Sequence, residues 1–251
     1  MPVNYPSQPS DYHRRSSGSR FLRLLLPILV LLVVAAVYLY SQFGGSRVNR
    51  SATVLRWLRN SESHPEWAWQ AGERCGEAPF LLPTHGLAGF LWDDSFRPGH
   101  RHSGIDIFGG EGLGETPVLA AYSGYLTRES DWKSSLIIRI PDDPLQPGRQ
   151  IWTYYTHMAD EQGVSFIAPD FPAGVYEVYV EAGTLLGYQG NYSGTPGNPT
   201  GVHLHFSVVR DNGNGRFRNE LEIENTYDPS PYLGLPLNGK TNPGVIPICE
   251  H

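Results

Sequence analysis

Four histidines and one aspartate carry the informative spacings in this chain. His203 and His205 stand two apart in GVHLHFSVV, a run that reads as a strand. On a strand residues i and i+2 share a face, so both imidazoles project together while Leu204 and Phe206 face the other way. Two same-face histidines beside apolar positions suit metal binding better than packing. A second cluster is His102-Ser103-Gly104-Ile105-Asp106. Gly104 and the β-branched Ile105 and Ile107 disfavour helix, so His102, Gly104 and Asp106 are expected on one face, with the glycine leaving the space between the polar side chains open. The third element is His157, at the end of TYYTHM. Two His and one Asp from these elements supply a three-ligand zinc site with an open fourth position, the catalytic rather than the closed arrangement. Two further His remain to orient water and to stabilise developing charge.

Other candidates are weaker. No H-E-x-x-H motif offers a glutamate base, and Asp93, Asp94 and Glu111 are too crowded in sequence for one of them to be singled out. His100 forms a second H-x-H with His102 but lacks the spacing to Asp106, so it reads as a rim residue. His13, His64, His85 and His251 have no partners in sequence.

The elements that must position these residues are short β-branched and aromatic runs: PVLAAYSGYLTRE, SSLIIRIP, QIWTYYTHM, GVYEVYV, TLLGYQG and VHLHFSVVR. Gly, Pro, Asn and Asp separate them at intervals of roughly ten residues, the pattern of a mainly β, antiparallel domain. The high Gly 28 and Pro 21, with Tyr 14 and Trp 6, point the same way. The apolar share of 40% and charged share of 18% exclude a solvating disordered chain. A net charge of −6 argues against nucleic acid as a partner. Two cysteines exclude a disulfide scaffold or a Cys-rich zinc ribbon.

The charge is unevenly spread. Residues 1–47 hold five Arg and one Asp, leaving 14 basic and 24 acidic groups on the other 204 residues. Between the zones, Leu24 to Tyr40 is uncharged, and with flanking Arg23 and aromatic residues it reaches the ~20 residues that span a bilayer core. Pro27 is expected in the first turn of this helix, where its missing N–H is harmless. Arg14, Arg15, Arg20 and Arg23 precede the segment, so the short N-terminus is expected inside and the acidic body exported. The absence of a clean small-x-small site before Ser41 favours an uncleaved signal anchor over a signal peptide. The expected organisation is a disordered tail over 1–20, a transmembrane anchor over 21–43, and a linker over 44–76 with a short helix capped by Ser51. The catalytic domain follows over 77–234, then a C-terminal tail over 235–251. Exported thiols tend to oxidise, so Cys75 and Cys249 are either a bridge tying entry to exit or two unrelated thiols.

From about Pro79 to Leu233 the sequence resembles the lysostaphin/LytM-type zinc metallopeptidases that cut peptidoglycan cross-bridges or stem peptides. The matching motifs are APFLLPTHG, HSGIDIFGGEGLGETPVLAAYSGYL, YTHM, AGTLLGYQGNYSG, GVHLHFSV and YDPSPYLG. The resemblance implies a compact antiparallel β-sheet or sandwich with its site in an open groove. It implies one zinc held by His102, Asp106 and His205, with His157 and His203 as the catalytic pair. The implied function is a membrane-anchored endopeptidase acting on peptidoglycan peptides; the alternative is a non-catalytic wall-binding module or activator. Two stretches depart from the family pattern: residues 159–181 are longer than usual, and DNGNGRFRNELEIEN follows the last expected ligand. Both bear on which bond is cut.

Overall fold

The computed structural model describes Met1 and residues 18–43, 46–94 and 99–249, with backbone alone for 18–25, 39–43 and 46–49. The chain forms two compact units, residues 1–45 and 46–251. In the first, helix α1 runs Gly18–Phe43. It starts ahead of the expected segment, which puts Pro27 inside the helix rather than in its first turn. The side chains from Leu26 to Tyr38 are all exposed and uncharged. The ends of the expected 21–43 span lie outside the described side chains. Among the described residues no helix is long and apolar enough to cross a membrane. Apart from Met1 and the helical 18–20, the expected tail also lies outside the described residues.

In the second unit, helix α2 spans Ser46–Arg59. Ser51, expected as its N-cap, is an exposed residue within it. No glycine or proline interrupts SRVNRSATVLRWLR, so the helix extends upstream for as long as it gains packing. It does gain packing: Arg50, Val54 and Trp57, at i, i+4 and i+7, form one buried stripe. Val54 and Trp57 cluster with Leu87 and Phe108. Within the expected linker, Arg50, Val54, Trp57, Trp69 and Cys75 are buried.

The β strands are β1 Ala68–Trp69, β2 Gly86–Phe90, β3 Ile105–Phe108, β4 Pro117–Leu119, β5 Gly124–Thr127 and β6 Leu136–Ile140. They continue with β7 Ile151–Thr156, β8 Val178–Val180, β9 Leu185–Tyr188, β10 Leu204–Arg210 and β11 Thr226–Tyr227. Nine form one antiparallel sheet ordered β1-β2-β3-β10-β7-β6-β5-β8, with β11 paired to β10, and β4 and β9 form a two-stranded partner. The expected mainly β, antiparallel class holds, and each of the six expected runs contains a strand.

Alternation sorts the sheet's two faces. Ile105 and Ile107, Leu204, Phe206 and Val208, Tyr155, and Leu136 and Ile138 join the main core, together with Val118 of β4 and Leu186 of β9. The residues between them, Asp106, His205, Ser207, Thr156 and Tyr154, belong to the opposite face. The C-terminal segment is also integrated. Leu235 and Leu237 are buried, Cys249 is disulfide-bonded to Cys75, and the Trp69 indole donates to Pro247 O at 3.0 Å.

Candidate metal centre

The site is a row across three adjacent strands. Register places His205 opposite Asp106 of β3 on one side and opposite Thr156 of β7 on the other. His102 arrives from the segment preceding β3, anchored where its Nδ1 donates to Leu91 O at 3.0 Å. His102 Nε2 lies 3.0 Å from His205 Nδ1 and 3.1 Å from Asp106 Oδ1, and His205 Nδ1 lies 2.9 Å from the same oxygen. These three residues, all buried, are able to hold a metal ion.

Gly104 makes the convergence possible. A Cβ there would meet Phe206 O at 2.3 Å, Ser207 Oγ at 2.5 Å and His205 Nε2 at 2.7 Å. The space that the sequence assigns to this glycine is occupied by the backbone of β10 and the ring of the expected ligand.

The proton inventory tests whether a cation fits. Because Leu91 O can only accept, His102 carries its proton on Nδ1 and turns the Nε2 lone pair toward a carboxylate oxygen. A neutral His205 brings at most one proton into the triangle. Three mutual contacts near 3 Å bring these donor atoms and their lone pairs to one point, an arrangement that a cation at its centre would suit. The titration directions say the same. Burial lowers His102, but the Asp106 charge, its hydrogen bond to His102 and the Leu91 carbonyl more than offset this and raise it. Burial raises Asp106, but His102, His203 and the histidine hydrogen bonds hold it well below the carboxylate range. A proton meets the demand when no metal does. Tetrahedral zinc with bonds of ~2.0–2.1 Å separates its ligand atoms by roughly 3.3 Å, so small relaxations of this triangle would accommodate it. The donor set, two imidazoles and a carboxylate, fits zinc.

Two more imidazoles flank the triangle. The His203 ring stacks on Phe108, with centroids 5.1 Å apart, and its Nδ1 donates to Gly201 O at 2.7 Å. The His157 Nδ1 donates to Tyr192 O at 2.6 Å, and the residue has a left-handed backbone, φ 71°, where the chain leaves β7. The two rings are 4.5 Å apart. With Nδ1 spent on a carbonyl, each presents an Nε2 lone pair, and that of His203 is 3.6 Å from Asp106 Oδ1. Burial lowers both, His203 to about 4. Burial also lowers His205 to about 4.

The structure thus brings together all five residues singled out by sequence. His100 lines the same groove without joining the ligand triangle. Asp93 pairs with Arg101 and Glu111 accepts from Thr116, while Asp94 lines the groove near His102 with its carboxylate paired to Arg50. His64 stacks on Trp67, while His13 and His251 lie outside the described residues. Sequence reasoning missed Ser207, whose hydroxyl lies 2.9 Å from His205 Nε2 and fixes that ring. Its signal was the i+2 position after His205 on the same strand face. It also missed the rim. The groove over the site, about 900 Å³, is lined on one side by Ser51, Val54, Leu55 and Leu58 of α2 and elsewhere by Phe90, Thr200, Gly201 and Leu221.

An antiparallel β domain with a buried His-Asp-His triangle in an open groove is the class of protein that this fold and site define. No protein-family model and no curated protein sequence matches the chain. Among solved structures, the likeness is to lysostaphin- and LytM-type peptidases. The catalytic domain of the antimicrobial peptidase lysostaphin from Staphylococcus simulans is 22% identical, with 59% of this chain and 90% of that one covered and a TM-score of 0.37. The longer lysostaphin chain is 18% identical, with 65% of this chain and 53% of that one covered, also at 0.37. The catalytic domain of the prophage-encoded M23 protein EnpA from Enterococcus faecalis is 22% identical, with coverage of 59% and 95% and a TM-score of 0.35.

Proposed function

We propose that this chain is a membrane-anchored zinc endopeptidase that hydrolyses peptide bonds in bacterial peptidoglycan. One observation carries the reading: a buried triangle of two imidazoles and a carboxylate that can hold a metal ion, flanked by two imidazoles whose Nδ1 atoms are spent on carbonyls and whose Nε2 atoms can take a proton. His102, Asp106 and His205 would hold the metal. When bound, zinc supplies Lewis acidity toward a peptide carbonyl and lowers the pKa of a bound water.

The protein's own residues handle the protons. At neutral pH His157 and His203 are unprotonated, held so by burial, so either Nε2 can accept a proton from the attacking water. The resulting imidazolium is then a cationic donor beside the developing oxyanion. It returns the proton to the amide nitrogen as the C–N bond breaks, so the pair ends neutral. The carbonyls of Tyr192 and Gly201 fix the tautomers that make this cycle possible. The alternative, a non-catalytic wall-binding module or activator, is disfavoured because all five positions are kept.

The anchor is proposed from sequence. An uncharged stretch of bilayer length follows four arginines, with 24 acidic groups on the body beyond. External protease on intact protoplasts or spheroplasts should remove the domain and leave a short N-terminal stub; protection until lysis would overturn the orientation. Zinc content measured beside turnover of purified peptidoglycan tests the activity. Stoichiometric zinc with release of peptide amines is expected, and a metal-free or inert protein would sink the reading.

A further inference from the structure

The groove's rim has a composition that the catalytic cycle does not use. Helix α2 carries two stripes. Arg50, Val54 and Trp57 fasten it to the sheet, while Ser51, Leu55 and Leu58, also at i, i+4 and i+7, line the groove. Leu55 is 53% exposed and Leu58 40%, and Leu221, from the stretch that follows the last ligand, is 72% exposed. Single exposed leucines are ordinary. Three that line one groove, together with Phe90 and Phe108 and above a catalytic centre, make a continuous apolar lining.

The helix is held in place. Trp57 is fully buried, and the Arg50 guanidinium donates to Asn242 O at 2.8 Å and Val245 O at 3.2 Å. The pairing of Arg50 with Asp94 at 3.3 Å also engages the arginine that, among the described residues, lines the groove. Among the described residues, what α2 and Leu221 offer a ligand at the rim is aliphatic surface.

We propose that α2 and Leu221 form the specificity walls of the groove, with Leu55, Leu58 and Leu221 receiving aliphatic side chains of the substrate peptide. The preferred substrate is then a peptide bearing methyl-containing residues such as alanine beside the cleaved bond, rather than a run of glycine. This rests on the hydrolase reading and deepens it. Glycine presents no side chain to such walls, and one methylene-sized group in an apolar site discriminates by about ten-fold or more.

The test uses the full chain in detergent with zinc and two quenched peptides that differ only in glycine or alanine on both sides of the scissile bond. The wild-type chain should favour the alanine peptide by about ten-fold in kcat/KM, expressed mainly in KM. Combining Leu55→Ser with Leu58→Ser should reduce that preference to about two-fold or less, while zinc content and the thermal midpoint stay unchanged. Leu221→Ser, on a separate and more exposed segment, should reduce it partially and serves as the control should the helix variant fold poorly. Equal cleavage of both peptides by the wild type, or an undiminished preference in the variants, would overturn the assignment. A zinc-loaded wild type that cuts neither peptide nor purified peptidoglycan would instead overturn the hydrolase reading, and this inference with it.

Discussion

The floor of the groove and its walls are built on different principles. The floor is a row of side chains locked by strand register: Asp106, His205 and Thr156 face one another across three antiparallel strands, and Ser207 braces the central ring from below. Its donor atoms lie within about 3 Å of one another, and every contributing residue is buried. The walls are a helix that precedes the β structure and a stretch that follows the last ligand strand, and they present leucines still 40–72% exposed. A reaction centre tolerates only small displacements of its groups, so it belongs on hydrogen-bonded strands. Substrate selection works through contact area and can sit on elements that change without disturbing the register. On the proposed reading, chemistry and selectivity would be housed in separable parts of the molecule.

The greatest loss should come from breaking the floor at a ligand. His205→Ala or Asp106→Ala leaves two donors and should abolish stoichiometric zinc binding and turnover together; retention of full zinc by either would remove that residue from the ligand set. Next come His157→Ala and His203→Ala, which should keep the metal and lower kcat by ~10²–10⁴-fold. If His203→Ala strips the metal while His205→Ala does not, the two roles are reversed. Ser207→Ala tests the support beneath the ring. It should weaken zinc affinity by ~10–100-fold without changing the fold, as read by chelator competition. The smallest effect on the floor should come from a wall. Trp57→Ala empties a site that costs about 3–5 kcal/mol to hollow out in a well-packed core, so amide exchange in α2 should rise sharply. Zinc affinity should nevertheless stay within about two-fold, since Trp57 packs on Phe108 rather than on a ligand; a large loss of metal would show that floor and wall are coupled through Phe108.

The floor was readable from sequence because its constraints are local. Period-2 alternation puts His203 and His205 on one face, and likewise His102, Gly104 and Asp106; the space expected to stay open at Gly104 is instead taken by β10, whose Phe206 O lies 2.3 Å from the Cβ position. The walls were not readable because no local pattern encodes them. Ser51 reads as a cap, yet the helix continues to Ser46, since Arg50 finds acceptors in Asn242 and Val245 and a counter-ion in Asp94. Those partners are tertiary. Ser207 was hidden for a related reason: a serine on a strand is unremarkable until register sets it beneath an imidazole. The pairing of Cys75 with Cys249, left open by spacing, was likewise settled by where distant backbone segments meet.

The fastening of α2 also bears on the order in which the molecule can be completed. Arg50 is held by carbonyls 192 and 195 residues downstream, Trp69 by one 178 residues downstream, and Cys75 by a bond across 174 residues. Contacts of such separation form late, because the entropy of closing long loops must be met before they return anything. As the chain is made from its N-terminus, α2 emerges before the β strands, but Asn242 and Val245, whose carbonyls hold it, emerge only after the whole β sheet. The metal-binding floor can therefore assemble on a nascent chain while one wall of the groove is still loose. A delay between zinc uptake and substrate discrimination during refolding would be the kinetic trace of that sequence of events.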